Sequence, residues 1–231
     1  MGKSINVEFL KKNVFTEHHM TRTGLFTKYC NFVKAMGICC EEDQDNIKTI
    51  LDIGANLGVY SYAFAFWFPN AYIHSFEPVP DNYRLLEGHC KKGEFSNRIK
   101  CHNFGFYKEE KEVTFGIPAD RKDVKNTGLY KMDGEQLKQK GKVFVLSDWI
   151  DKTGTIPDFI KIDAEGADFE ILNSSKKCLE KVRWITVEAT DDCISLLSGL
   201  GFEEQKRLKN IKGIDFRRRK DSLWKNTKLI G

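Results

Sequence analysis

The chain has no long apolar run. The nearest, VYSYAFAFWF at residues 59–68, is ten residues long and stops at Pro69. That is about half of the ~20 residues a bilayer-spanning helix needs. The opening MGKSINVEFL has no apolar segment of the kind a secretory signal carries. It begins Met-Gly, but Asn6 stands where a myristoylation signal requires Ser or Thr. The seven cysteines (Cys30, Cys39, Cys40, Cys90, Cys101, Cys178 and Cys193) include no Cys-x-x-Cys pair. Their odd number and scattered spacing argue against a metal cluster and against a disulfide framework. Reduced thiols, mostly in a core, and a cytoplasmic location are the expectation. Proline is scarce, at five residues, and no repeat or low-complexity segment is present. A soluble globular chain of 231 residues remains, long enough for one sizeable α/β core.

The net charge of +4 is unevenly spread. Residues 206–228 carry ten Lys or Arg against two Asp, a local +8 that leaves about −4 for the rest. Such a stretch can touch nucleic acid, a phosphorylated carrier or an anionic surface. The preferred reading is plainer: solvated edge strands whose basic side chains resist edge-to-edge pairing.

Residues 1–48 read as an accessory helical segment or lid. EFLKKNVF and GLFTKYCNFVKAMG have helical spacing, Gly37 is placed to end the second helix, and EEDQD reads as a linker. Residues 49–231 read as the main domain. TILDIGA, AYIHSFEP, IKCHNFGF, PDFIKIDAEG and VRWITVEA are strand-like, with GVYSYAFAFWF, PDNYRLLEGHCKKG, ADFEILNSSKKCLEK and DDCISLLSGLG as helices among them. KEVTFGIP and KVFVLSDWI are expected to be extra strands flanking a loop, and FEEQKRL and DSLWKN to be the last two strands. Alternation of this kind predicts a mostly parallel sheet with helices on both faces, closed by a hairpin at one edge.

The turn after the first strand reads Asp52-x-Gly54-x-Asn56-x-Gly58. Asn56 occupies the second glycine slot of a dinucleotide fingerprint and no third glycine follows, so the loop is not tuned to pyrophosphate. The turn carries no Gly-Lys-Ser/Thr of a phosphate-binding loop either. S-adenosylmethionine suits these residues better. It has no phosphate but carries a carboxylate, an ammonium, a ribose diol and an adenine. The backbone around Gly54, Ala55, Asn56 and Gly58 opens onto a helix N-terminus suited to the carboxylate. Asp52 is placed to attract the ammonium. Glu77, ending the next strand, can accept from both ribose hydroxyls, and Pro78 shapes the turn beyond it. Asn103 and Phe104, ending the third strand, are candidates for the adenine edge and face.

DFIKIDAEGADFEIL sets Lys161, Asp163 and Glu165 at alternate positions, on one face if the strand stays extended. Three ionisable groups at the carboxyl end of a buried strand are costly unless paired or used. Lys161 is expected to form a structural bridge to an Asp or Glu, and Asp163 and Glu165 to have a function. His74 and His102, within strands, are expected to be structural, and His18 and His19 to lie on the surface.

LDIGANLGVYS, FEPVPDNYRLL and IKIDAEGADFEIL together resemble the signature blocks of the FkbM-type methyltransferases, over roughly residues 49–190. The resemblance implies a class I, Rossmann-like fold of seven strands with the last hairpin antiparallel. It implies S-adenosylmethionine as cofactor and O-methylation of a hydroxyl on a sugar, glycan or secondary metabolite. Asp52, Gly54, Asn56, Gly58 and Glu77 match its cofactor motif, and Asp163 and Glu165 its acceptor-side block. The chain departs at Ser147, where many members carry Asp, and in EGHCKKGEF, which lacks a frequent asparagine.

The expected chemistry follows. Asp163 or Glu165 takes the proton of a sugar hydroxyl while the other orients the sugar, with Glu188 in reserve. A divalent metal held by these three acids is the alternative, and metal-free catalysis is preferred. An RNA ribose 2′-O-methyltransferase is a rival reading, weakened because the fifth strand ends in Glu188 where a second lysine is wanted. A non-catalytic cofactor-binding module is another rival, and a dehydrogenase the third.

Overall fold

The structure, a computed structural model, describes residues 10, 14–15, 25–120, 130–188, 190–205 and 221–229. Helix α1 (Leu25–Cys39) leads through a 3-10 segment (Glu41–Asn46) into β1 (Thr49–Ile53), α2 (Val59–Trp67), β2 (Tyr72–Phe76), α3 (Pro80–Lys92) and β3 (Ile99–His102). Four strands then intervene: β4 (Gly105–Phe106), β5 (Lys111–Ile117), β6 (Lys131–Met132) and β7 (Gln136–Phe144). The alternation resumes with α4 (Leu146–Thr153), β8 (Phe159–Ile162), α5 (Asp168–Ser174), α6 (Lys176–Leu179), β9 (Trp184–Glu188) and α7 (Asp191–Leu200), and closes with β10 (Phe202–Glu204) and β11 (Asp221–Asn226).

Among the described residues the main sheet has seven strands in the order β10-β11-β9-β8-β1-β2-β3. All pairs are parallel except those that β11 makes with β9 and β10. Alternation along the strands assigns each side chain to a layer. On β1, Ile50 joins the cluster built on α1 and α2, including Phe32, Met36 and Phe64. Leu51 and Ile53 face the opposite cluster with Leu146, Ile150, Ile171 and Leu197. Helix α2 is apolar on nearly every side because it is covered by both the sheet and α1. The Asp158 carboxylate accepts the Lys48 and Thr49 amides at 2.8 and 3.0 Å, anchoring the start of β1 beside β8.

Several sequence expectations change in detail. Gly37 lies inside α1, which runs on to Cys39. The acidic linker is a 3-10 segment, and Asp43 within it ties down Trp184 Nε1 (3.2 Å) and Lys225 (3.1 Å). The third strand stops at His102, and Gly105–Phe106 pairs instead with β7. KVFVLSDWI divides at Val145. Leu146, Trp149 and Ile150 have the i, i+3, i+4 spacing of a helix, and this turns LSDWI into α4. The expected loop between the extra strands contributes β6 and the first half of β7 to a second sheet of order β4-β7-β5-β6. Most of the EFLKKNVF segment, His18, His19 and most of the basic stretch, 206–220, lie outside the described residues. All seven cysteines are free thiols, five of them buried. His74 Nδ1 and His102 Nε2 are 3.0 Å apart, and burial pushes both imidazoles down to about 4. Among the described residues no helix is long and apolar enough to cross a membrane.

Candidate active site

From β1 the chain runs outward to β2 and β3, and the next main-sheet strand, β8, lands on the other side of β1. Strand order therefore reverses between β1 and β8. In an open α/β sheet such a switch point leaves a crevice beyond the carboxyl ends of the strands. A cavity of about 340 Å³ opens there, within the range typical of ligand sites.

The glycine turn forms one wall. Gly54, Asn56 and Gly58 have φ of 72°, 50° and 87°. Asn is among the few non-glycine residues that adopt the left-handed region readily, which accounts for Asn56 in a glycine slot. Gly54 has a second constraint: a Cβ there would stand 2.0 Å from the Asp163 carbonyl oxygen. Gly54→Ala is expected to force β1 and β8 apart at their ends and lower the melting temperature by several degrees, read by circular dichroism. The Gly54 and Ala55 amides donate to the Phe76 carbonyl at 3.0 and 2.9 Å.

Two charged side chains hold this turn. Lys161, 3% exposed, donates to the Gly54 carbonyl at 2.7 Å and the Ile53 carbonyl at 3.3 Å. It also pairs with Asp52 at 3.0 Å and Asp163 at 3.7 Å, and lies 4.8 Å from the centre of the Tyr60 ring. Burial pulls its ammonium down, but Asp52 and Asp163 outweigh that, so it sits above the ordinary lysine value. Glu77 accepts the Asn56 amide through Oε2 and the Val79 amide through Oε1, each at 2.9 Å. Asn82 adds a side-chain hydrogen bond. Burial nevertheless pushes the Glu77 carboxyl up to about 7.

On the β8 side, Asp163 and Glu165 line the cavity. The strand ends at Ile162, and Glu165 takes φ of 47° just before Gly166 at 99°. The extended run that would set Lys161, Asp163 and Glu165 on one face is therefore broken, and Glu165 swings out of register. Desolvation and the neighbouring carboxylates Asp163, Asp168 and Glu188 push Glu165 up to about 7. Burial and Asp163 likewise raise Asp168, to about 6.

Of the sequence candidates, Gly54, Ala55, Asn56, Glu77, Pro78, Asp163 and Glu165 line one cavity. Asp52 is fully buried behind it, held by Lys161 and by the Ser61 hydroxyl at 2.6 Å. Gly58 caps α2 behind the wall. Asn103 donates to the Glu77 carbonyl at 3.0 Å, and Phe104 packs into an aromatic cluster with Phe76, Phe106 and Phe144. Glu188, ending β9, stands outside the lining but close enough to raise Glu165. Tyr29, Tyr60, Asn82, Phe115 and Tyr130 also line the cavity and were absent from the sequence reading. Tyr60 and Asn82 follow the two motif strands in the first turns of α2 and α3, which is a usable signal. Tyr29, Phe115 and Tyr130 arrive from distant segments with no local signature.

A doubly covered seven-stranded sheet with an antiparallel end, a glycine turn at its switch point and an acid ending β2 define a class I methyltransferase fold. A sequence model described as the methyltransferase FkbM domain matches residues 52–202. The chain belongs to the FkbM methyltransferase family. It is similar in fold to methyltransferase FkbM from Methylobacillus flagellatus KT, at 18% identity and a TM-score of 0.53, over 78% of this chain and 44% of that one. It thus spans less than half of that protein. It is also similar in fold to the methyltransferase domain of METTL16, at 11% identity and a TM-score of 0.53, over 94% of this chain and 75% of that one. No curated protein matches it. Family membership implies S-adenosylmethionine as the cofactor.

Proposed function

We propose that this methyltransferase acts on a hydroxyl of a sugar, glycan or glycosylated metabolite, with Glu165 taking the hydroxyl proton. The observation that carries this reading is the Glu165 carboxyl on the cavity wall, raised to about 7. A base is most useful when its pKa lies near the working pH. Glu165 also sits in a left-handed backbone conformation, the kind of strain that collects at functional sites.

The donor set fits S-adenosylmethionine. Glu77 presents carboxylate oxygens suited to a ribose diol, and the turn at Gly54–Leu57 leads into the N-terminus of α2, which suits a carboxylate. When bound, the cofactor supplies a methyl group already activated by its sulfonium charge. The chain's own residues then have two tasks, to place the acceptor and to accept its proton. Asp163, tethered 3.7 Å from Lys161, positions, and Glu165 accepts the proton. In this reading the proton goes to a protein carboxylate. Residues 1–48 serve as the accessory lid, a role supported by Tyr29 of α1 reaching the cavity wall.

The test is transfer of labelled methyl from S-adenosylmethionine to a panel of neutral, acidic and amino sugars. Glu165→Gln is expected to lower kcat about 10²- to 10⁴-fold. Its affinity for S-adenosylhomocysteine should stay within about twofold, since Glu165 acts on the acceptor. Because the base must be ionised, the wild-type rate should climb with pH and level off above about 7. Full activity in Glu165→Gln removes the proposed base. Binding of the cofactor with no transfer to any hydroxyl acceptor removes the sugar reading.

A further inference from the structure

The outer face of the second sheet carries positive charge that the mechanism above does not use. Its inner face packs on the cavity: Phe115, Met132 and Val143 line it, and a Cβ at Gly141 of β7 would stand 2.5 Å from the Pro78 carbonyl oxygen. Alternation along β7 turns Lys138, Lys140 and Lys142 the other way, and all three are exposed. Successive lysines stand about 7 Å apart, in a row about 13 Å long. On β5, Glu112 stands opposite Lys142 and Thr114 opposite Lys140. A fourth lysine, Lys131 on the edge strand β6, is exposed and lines the cavity. Among the described residues none of the four forms an ion pair, and neither does Glu112. Of the acids on the turn after β6, Glu135 accepts the Ala119 amide at 2.9 Å, and Asp133 pairs with none of the four lysines. Like charges at this spacing lie within a Debye length of one another, so they repel, and an anion laid across them relieves the repulsion.

We propose that this row docks the acceptor, and that the acceptor is an acidic glycan whose repeated carboxylates lie along Lys138, Lys140 and Lys142, with Lys131 at the cavity rim. The inference rests on the sugar reading of the acceptor and narrows it to anionic chains. A single small anion cannot span a row of this length, so the ligand carries several negative charges. Lysines are point charges on flexible stems, without the fixed fork of arginine, which suits carboxylates repeated along a flexible chain. The face offers a nucleic acid no stacking platform, since the residues beside the lysines on β5 are Glu112, Thr114 and Gly116, none of them aromatic. It offers a bilayer little to bury, because Leu137 is the one large exposed hydrophobic among the described residues of this sheet. A glycan needs neither feature. It needs spaced cations on a surface continuous with the cavity, and Lys131 joins the two.

The experiment is calorimetry of oligogalacturonate with wild type, the triple variant Lys138→Gln/Lys140→Gln/Lys142→Gln, and Glu112→Gln, at low and at high salt. Melting temperature and S-adenosylhomocysteine affinity are measured in parallel, and these exposed side chains should leave both unchanged. The triple variant is expected to bind oligogalacturonate about 3- to 100-fold more weakly at low salt, the range for three exposed ion pairs. Glu112→Gln removes an opposing charge and should tighten binding about two- to fivefold. Wild-type affinity should fall as salt is added. Equal affinity in wild type and the triple variant overturns the proposal, and so does binding that ignores salt. A triple variant that loses poly(U) RNA or phosphatidylserine vesicles while keeping oligogalacturonate also overturns it, by giving the face to another polyanion. Methyl transfer to neutral sugars without any oligogalacturonate binding overturns the docking surface and leaves the sugar reading standing. Oligogalacturonate binding that depends on the lysine row, with no transfer to any hydroxyl, upholds the surface and overturns the sugar-transfer reading instead.

Discussion

Lys161→Met is expected to cause a large loss of stability and of cofactor binding together. Asp52 and Lys161 are directly paired across β1 and β8, and both are almost fully buried. Removing one member of a buried ion pair leaves the other charge uncompensated and costs about 3–5 kcal/mol. For a chain of this size that is a fall of roughly 6–20 °C in melting temperature. The Gly54 and Ile53 carbonyls lose their donor at the same time. The glycine turn loosens, and S-adenosylhomocysteine should bind about 10- to 100-fold more weakly. Lys161→Met combined with Asp52→Asn removes both charges and should recover part of the melting temperature but not the affinity, because no group then pins the turn. A single variant that melts within 2 °C of wild type, on the scale set by about 2–4 °C per kcal/mol, would show that the pair contributes nothing.

The second large effect belongs to Glu77. A ribose diol needs an ionised acceptor, and burial holds this carboxyl at about 7. Linkage sets the sign. The folded apo protein holds the Glu77 proton more tightly than the unfolded chain does, so this group's contribution to stability falls as pH rises from 4.5 to about 7. Cofactor binding runs the other way, because it requires the ionised form. The affinity for S-adenosylhomocysteine should therefore fall about tenfold per pH unit below 7 and level off above it. Glu77→Gln should bind roughly 10- to 100-fold more weakly at pH 8 and lose the slope, since each hydrogen bond to a charged group contributes about 1.5–3 kcal/mol. Glu165→Gln must keep the slope, although its carboxyl lies at a similar value. Calorimetry from pH 5.5 to 8.5 separates the two. A pH-independent wild-type affinity would remove Glu77 from the cofactor site.

The division between what can be read locally and what cannot is clear at particular residues. The strand-helix alternation, the glycine turn after β1 and the acid ending β2 are local patterns. Each is a short run whose residue types and spacing have one economical conformation. A mostly parallel sheet with helices on both faces follows from them, because a strand, a crossover helix and a parallel strand close almost always in one hand. Asn103 and Phe104 show where local reading stops. Both follow the end of β3, where the Asn103 amide donates to the Glu77 carbonyl and Phe104 packs into an aromatic cluster, neither of which the local pattern announces.

Residue types and spacing alone establish the class of protein: the strand-helix alternation, the motif positions and the presence of an unusual charged block after β8. The tertiary structure alone decided which charges are spent on structure and which face the cavity. Asp52 and Lys161 are 109 residues apart and become direct neighbours only through the register of β1 on β8. That register turns Asp52 from a ligand candidate into a buried counter-ion. Glu165 leaves the strand face because the chain turns at Gly166, and the second sheet reaches the cavity only because β7 rests on the Pro78 turn. Register, turns and layer contacts are non-local, and residue types at short spacing do not encode them.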